Sequence, residues 1–371
     1  MPLLFLYEQN VHIFTRGCGI MKEVNHREEH IMNQERLAKV LNKMSEKKVS
    51  QLIISDATTI FYLTGKMIHS GERMLALVIK EDGNHALVVN KLFPITEDLG
   101  VKLVVIDDTD DAVAVLLEQL DASKTIGIDK NWPAHFLLSL MEKTNSTDFV
   151  NGSEITDSVR AIKSEEEIEL MRDVSRDNDT AIGRLQELVP EKLTELEMSE
   201  KLASIYKELG NSGFSFEPIV AYGANGADPH HETDESVVKE GDSIILDIGG
   251  VKNGYCSDMT RTVFYKSVSD KSREVFETVL EANKRAIAKV KPGVKFSEID
   301  AAARDYITEK GYGEYFTHRT GHFIGIECHE AGDVSGSNHN VVEPGMIFSI
   351  EPGIYIQGEV GVRIEDLVVA T

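Results

Sequence analysis

At 371 residues, with 42% hydrophobic and 27% charged side chains, the chain is long enough for two globular domains. Its formal charge of −23 sets aside a nucleic-acid partner, whose phosphates it would repel. No apolar run approaches the roughly 18 residues that cross a bilayer, so no membrane role is expected. Cys18, Cys256 and Cys328 form no evenly spaced framework, and an odd number of thiols points to a reducing, cytoplasmic setting. The apolar start Met1–Tyr7 has neither a preceding positive charge nor a small-residue cleavage site, so it does not read as a secretory signal.

Residues 1–31 show no periodicity and are expected to be an extension of unknown role. From Met32 to about residue 155 the pattern is that of an α/β domain. A helix over Met32–Lys47 carries Leu37, Val40, Leu41 and Met44 on one stripe. Strands are expected at Gln51–Ser55 and Ile60–Leu63, and a hairpin at Leu75–Lys80 and Ala86–Asn90, with Asp82-Gly83 supplying a turn. A strand at Lys102–Ile106, a helix near Asp111–Leu120 and a strand at Thr125–Asp129 complete it. This half gathers no His, Cys and carboxylate cluster, and a scaffold or lid is the expectation.

The second domain, 156–371, opens where Ser164 precedes Glu167 at the capping-box spacing. A long helix with Ile168, Met171 and Val174 on its buried face follows, then a helix over Leu193–Leu209 and a hairpin over Asp242–Tyr265. The order then repeats: helices at Lys271–Val290 and Phe296–Lys310, and a hairpin at Gly345–Asp366. This recurrence predicts a structural duplication whose two hairpins meet at a central cleft.

Each hairpin carries two carboxylates. Asp247 and Asp258 are equidistant from the centre of the Val251–Gly254 loop, which predicts a directly opposed pair with Cβ atoms roughly 4.5–5.5 Å apart. Such a pair repels unless a proton or cation lies between, and Asp247 interrupts an apolar strand where a bare charge is costly. Glu351 and Glu365 are symmetric about Gly358, and Pro352 predicts an irregular strand end beside Glu351. A single acidic strand residue ordinarily sits on a solvated face. Two matched pairs fit that reading poorly.

Histidines supply the nitrogen. His318, His322 and His329 fall within twelve residues, and His230-His231 lie on a polar loop. A lone histidine is more often structural; beside four carboxylates, one is a natural ligand and others are proton donors. Spacing leaves open which, because His322 and His329 share a face only if the chain bends, and Gly325 is where a bend is expected. Four carboxylates and an imidazole suit two hard or borderline dications, Mn²⁺, Co²⁺ or Zn²⁺, in a cage whose charges cancel. Cys256, two residues before Asp258, shares its face in a regular strand and is read as a buried packing residue.

The motifs Leu246-Asp247-Ile248-Gly249, Ser257-Asp258-Met259-Thr260-Arg261-Thr262, Gly321-His322, His329-Glu330, Glu351-Pro352-Gly353-Ile354-Tyr355 and Gly361-Val362-Arg363-Ile364-Glu365-Asp366 resemble the pita-bread metallopeptidases. That family includes prolidase, aminopeptidase P, methionine aminopeptidase and the metal-free creatinases. The resemblance covers about Ala161 to the C-terminus and, more loosely, the N-terminal domain. It implies an α/β N-terminal domain followed by an α+β pita-bread catalytic domain with pseudo-twofold helix–helix–hairpin halves. It also implies Asp247, Asp258, His322, Glu351 and Glu365 as ligands to two divalent ions, Mn²⁺ foremost, with Asp258 and Glu365 bridging. By the same analogy Glu351 is the acid/base, His230 and His329 meet the substrate, and His318 lines the pocket. Arg363 would hold a ligand carboxylate or a substrate carboxylate. The complete ligand set and the preceding domain point to the prolidase and aminopeptidase P branch. The expected activity is therefore a Xaa-Pro dipeptidase, with an aminopeptidase on longer Xaa-Pro peptides or an inactive peptide-binding relative as alternatives, and a homodimer by family analogy. The chain stops at Thr371, just after the last of these motifs, where relatives usually run on for a short strand or tail; a truncated sequence would be a simple explanation.

Overall fold

A computed structural model describes residues 32–144 and 148–371 together with a two-residue strand, Leu3–Leu4. The expected extension at 1–31 otherwise lies outside the described residues. The chain divides into two compact units with the break between Arg160 and Ala161. Among the described residues no helix is long and apolar enough to cross a membrane.

In the first unit, Gln34–Lys47 is helical and capped by the Asn33 side chain, with Leu37, Val40 and Met44 buried as the stripe predicts. A six-stranded sheet runs in the order Lys102–Ile106, Ala86–Asn90, Leu75–Lys80, Gln51–Ile54, Ile126–Ile128, Phe149–Asn151. Ile60–Leu63, expected as a strand, lies instead inside the helix Ala57–Thr64. Asp56 caps that helix by accepting from the Thr59 N–H, and Gly65 ends it in a left-handed conformation. A four-residue apolar run cannot by itself tell strand from helix, and the two caps decide. The helices Ala134–Thr144 and Ser153–Arg160 and the strand Phe149–Asn151 carry no signal strong enough to have been expected.

The second unit is the duplicated one. Helices Glu165–Leu188 and Glu195–Glu208 both start at capping boxes, Ser164 with Glu167 and Thr194 with Glu197. They lie on a sheet in which Ser243–Ile248 is flanked by Ile219–Tyr222 and Met259–Tyr265. The second half repeats this: helices Asp270–Lys289 and Phe296–Glu309 lie on a sheet in which Ile347–Ile350 is flanked by Gly321–Phe323 and Asp366–Val369. Along Ser243–Ile248, residues Ile244, Leu246 and Ile248 pack against the helices. The period of two then turns Asp247 to the opposite face. Fully burying each such Ile or Leu contributes about 1.5–3 kcal/mol, which holds the strand in place against the cost of a buried carboxylate.

The first hairpin corrects one expectation. Its turn is Asn253-Gly254, both with positive φ (53° and 79°), one residue later than the loop centre assumed from sequence. Asp247 therefore pairs with Thr260, and the register places Gly249 opposite Asp258. The slip is two residues, an even number, so Asp258 stays on the Asp247 face as a diagonal neighbour. The second hairpin keeps the expected symmetry. Ile350 pairs with Asp366 and Gly353 with Arg363, which leaves Glu351 level with Glu365 in the gap between two short ladders. Pro352 lies in that gap, where no ladder bond is asked of it. The hairpins are stitched together: Thr262 Oγ1 donates to the Arg363 carbonyl at 2.8 Å, and the Glu365 N–H donates to the Thr260 carbonyl at 3.1 Å.

Candidate active site

Where the two hairpins meet, Asp258, His322 and Glu365 offer ligand atoms that all lie within 4.8 Å of one another. Asp247 and Glu351 flank this group. Three carboxylate oxygens, Asp247 Oδ1, Asp258 Oδ1 and Glu365 Oε1, are buried without a hydrogen-bond partner. Unsatisfied buried acceptors cost roughly 1–3 kcal/mol each, more when charged. Carboxylate oxygens with nothing to accept from are the donor set of a cation, and the residues fit divalent metal ions.

The same crowding sets the protonation of the metal-free protein. Burial, with Asp258 as neighbour, pushes the Asp247 carboxyl up to about 6, although Arg363 opposes it. Burial pushes Glu351 up to about 7 against the pull of His322. Burial and the Asp258 charge hold Glu365 well above the usual carboxylate range. His322 goes the other way to most buried imidazoles: burial alone would lower it, but Asp258 and Glu351 prevail and raise it. Its Nε2 lies 3.4 Å from Asp258 Oδ2 and 3.5 Å from Glu351 Oε1. Its Nδ1 faces the Phe323 carbonyl at 3.1 Å, and a carbonyl only accepts, so Nδ1 carries the hydrogen. Nε2 is thus the nitrogen aimed at the carboxylates, and a proton there does in part what a cation would do.

Around the cage lies a polar layer. Thr260 Oγ1 donates to Glu365 Oε2 at 2.8 Å. Arg363 donates from Nη2 to Asp247 Oδ2 at 2.5 Å, from Nε to Thr260 Oγ1 at 3.2 Å and from Nη1 to the Tyr355 hydroxyl at 2.9 Å. Of the two roles left open for Arg363, its fork takes the first, a carboxylate of the cage. Tyr355 in turn donates to His318 Nε2 at 2.8 Å, while His318 Nδ1 donates to the Arg319 carbonyl at 2.7 Å. Burial pushes the His318 imidazole down to about 4, which keeps it neutral for that arrangement. His318 therefore joins the cage through Tyr355 and Arg363. Gly353 makes room for the link, since a Cβ there would lie 2.3 Å from the Tyr355 hydroxyl oxygen.

His329 reaches the site, its ring edge-on to that of His322 with centroids 4.1 Å apart. The chain achieves this through a register shift at His322/Phe323 and a turn in which the Gly325 N–H donates to the Glu327 carbonyl, where the bend was expected. Burial, then the His322 and Arg319 charges, push His329 down to about 4. His230 is exposed and follows Pro229, whose carbonyl accepts from Arg363 Nη1 at 3.4 Å. Cys256 does not touch a carboxylate; its thiol donates to the Ile326 carbonyl at 3.3 Å. The thiol at the cage is Cys328, whose Sγ lies 3.3 Å from Asp258 Oδ2. Sequence reasoning gave no role to Thr260, Tyr355 or Cys328. The first two stand inside the quoted motifs; Cys328 had only its place beside His329 as a signal.

A helix-backed duplication with a carboxylate–imidazole cage between its hairpins defines a pita-bread metallohydrolase. The model of the metallopeptidase family M24 matches residues 169–371, and that of the Creatinase/Prolidase N-terminal domain matches 36–162. The chain belongs to metallopeptidase family M24. An uncharacterized peptidase of Staphylococcus aureus is 32% identical over 343 residues, 91% of this chain and 96% of its own length. Among solved structures, a dipeptidase from Mycobacterium ulcerans superposes with a TM-score of 0.86 at 32% identity, covering 91% of this chain and 93% of that one. A prolidase from Thermococcus sibiricus gives 0.84 at 32% identity, over 91% and 94%. An X-Pro aminopeptidase from Thermotoga maritima gives 0.74 at 28% identity, over 89% and 95%.

Proposed function

We propose that this protein is a Xaa-Pro dipeptidase working with two divalent metal ions. One observation carries the reading: four carboxylates from two hairpins and the imidazole of His322, on the strand Gly321–Phe323, converge with three buried oxygens left unpartnered. We assign Asp247, Asp258, His322, Glu351 and Glu365 as the ligands. Mn²⁺ is our first choice, with Co²⁺ and Zn²⁺ next, because the donors are oxygens and one imidazole nitrogen, without thiolate. When bound, the ions supply an acidified water and polarise the scissile carbonyl.

The protein's own groups do the rest. Glu351 is the most open carboxylate, its side chain 16% exposed against 11% for Asp247 and 6% for Asp258. Of the four it is the one with an edge toward solvent, placed to take a proton from water and return one to the leaving nitrogen. That return is required because an amide nitrogen leaves as an amine only once it gains a proton, and the proline nitrogen of an Xaa-Pro bond starts with none. His329, kept neutral, and His230, at the open side, are placed to donate to the carbonyl oxygen as it gains charge. His318, through Tyr355 and Arg363, holds Asp247 in place.

Purified protein loaded with Mn²⁺ is expected to cleave a Xaa-Pro dipeptide; cleavage of a Xaa-Pro-Yaa tripeptide alone would replace the dipeptidase by an aminopeptidase. Metal analysis after reconstitution is expected to find two dications per chain, and none would favour an inactive peptide-binding relative. Buried thiols at Cys256 and Cys328 suit a reducing cytoplasm, and a homodimer is the assembly we expect by light scattering.

A further inference from the structure

Glu195, the first residue of the helix Glu195–Glu208, is fully buried. Its Oε1 accepts from the Tyr222 N–H at 2.7 Å and Asn225 Nδ2 at 2.9 Å, and its Oε2 from His231 Nε2 at 2.7 Å and the Asp234 N–H at 3.0 Å. A carboxylate only accepts, so His231 Nε2 carries a hydrogen. Glu195, His231 and Asp234 lie close enough together to suggest a metal site. Each Glu195 oxygen already takes two donors, however, which leaves no lone pair for a cation. The four donors instead come from before, within and after the loop 223–233.

From the other side the second hairpin holds the same loop. Gln357 Nε2 donates to the Ala227 carbonyl at 2.7 Å and Arg363 Nη1 to the Pro229 carbonyl at 3.4 Å. A Cβ at Gly361 would lie 1.6 Å from the Gly226 carbonyl oxygen, so the two backbones touch. Between these anchors stand two adjacent histidines with different surroundings: His231 is drawn onto Glu195, and His230 is exposed and follows Pro229, whose carbonyl Arg363 holds.

We propose that Glu195 and His231 form a clasp that fixes where His230 meets the substrate, so that both are positioning residues acting through His230. The inference rests on the substrate-facing role given to His230 above. A ring bonded to a buried carboxylate fixes the backbone at residue 231 and with it the origin of the His230 side chain. Misplacing a contacting group by about 1 Å costs up to about a hundredfold in rate.

A double-mutant cycle on the Mn²⁺-loaded protein tests it, with a Xaa-Pro dipeptide as substrate. His231→Ala is expected to lower kcat about tenfold or more in the wild-type background. In the His230→Ala background the same change is expected to cost less than about twofold, since the group being positioned is gone. His231→Gln, which keeps an N–H for Glu195, is expected to recover most of the loss. Equal losses in both backgrounds, or a His231→Gln protein as slow as His231→Ala, would overturn the clasp. Should His231→Ala not fold, His231→Asn, polar but too short to reach Glu195, repeats the cycle. A readout without turnover is the His230 ring signal in histidine-labelled protein, assigned by its loss in His230→Ala. It is expected to shift in His231→Ala, and an unmoved line overturns the proposal. If the wild type cleaves no Xaa-Pro peptide, the substrate reading fails instead, and the His230 signal alone decides the clasp.

Discussion

Asp258 is the residue on which most of the site's contacts turn. It faces His322 Nε2, receives the Cys328 thiol and keeps one oxygen without a partner. Asp258→Asn keeps the shape and removes the charge, and we expect peptidase activity to fall to background. Asp366, one residue past Glu365, is spent on Arg261, which donates to it at 2.7 Å, and Asp366→Asn is expected to be milder. Steady-state assays of both variants check this; equal losses would mean the cage is misplaced. Tyr355→Phe deletes the hydroxyl between Arg363 and His318, and losing such an outer partner is expected to cost about 10–100-fold in metal affinity or activity. Calorimetric titration of the metal-free variant with Mn²⁺ measures it. A thiol is a weak donor, so Cys328→Ala is expected to weaken Mn²⁺ binding by less than about tenfold in the same titration.

Among the elements, the two hairpins were unequally legible. The second was read correctly because its loop is symmetric about Gly358, which sits at φ 75° where a left-handed residue is needed. The first was read with its centre one residue early, because Val251 and Lys252 look like loop but pair with Cys256 and Tyr255. The acid pair stayed on one face only because the error was even. The glycines of the second hairpin also differ in kind. A Cβ at Gly361 would lie 1.6 Å from the Gly226 carbonyl oxygen, a clash with backbone that no side-chain motion relieves. Gly361→Ala is expected to destabilise the protein by about 1–3 kcal/mol or more. Gly358→Ala, in open space but left-handed, is expected to cost about 1–2 kcal/mol. Urea unfolding of both should preserve that order, and a reversal would mean the hairpin does not press on the 223–227 turn.

For the whole molecule, the gathering of buried carboxylates links stability to pH and metal. The carboxyls of Asp247 (about 6), Glu351 (about 7) and Glu365 are all raised in the folded protein, above an unfolded value near 4. These three carboxyls therefore hold more protons in the folded than in the unfolded chain between about pH 4 and 7 and make metal-free stability fall as pH rises, while His318 and His329, lowered to about 4, offset part of this below about 6.5. The raised His322 acts in the same direction as the carboxyls: its contribution is present below about 6.5 and is lost as pH rises through its folded value. Dications bind the deprotonated ligands and reverse the trend. Thermal melts of chelator-treated protein should show Tm falling from pH 5 to pH 8, with the gap to the Mn²⁺-loaded protein widening across the same range. A constant gap would place the metal elsewhere.

The duplicated helix–helix–hairpin order, the capping boxes and the acidic and histidine residues available to a site were all legible beforehand, because they depend on local periodicity and on residue type. The sequence could not decide Ile60–Leu63, since a short apolar run suits strand and helix alike until its caps are in place. Nor could it decide which cysteine meets Asp258, what Arg363 holds, or that His231 turns to Glu195 while His230 does not. Those facts join residues some 36 to 116 positions apart. Only tertiary packing sets such distances, within one half for Glu195 and His231 and between the halves for the other two, and hydrogen bonds of about 3 Å leave no room for a register error of one residue.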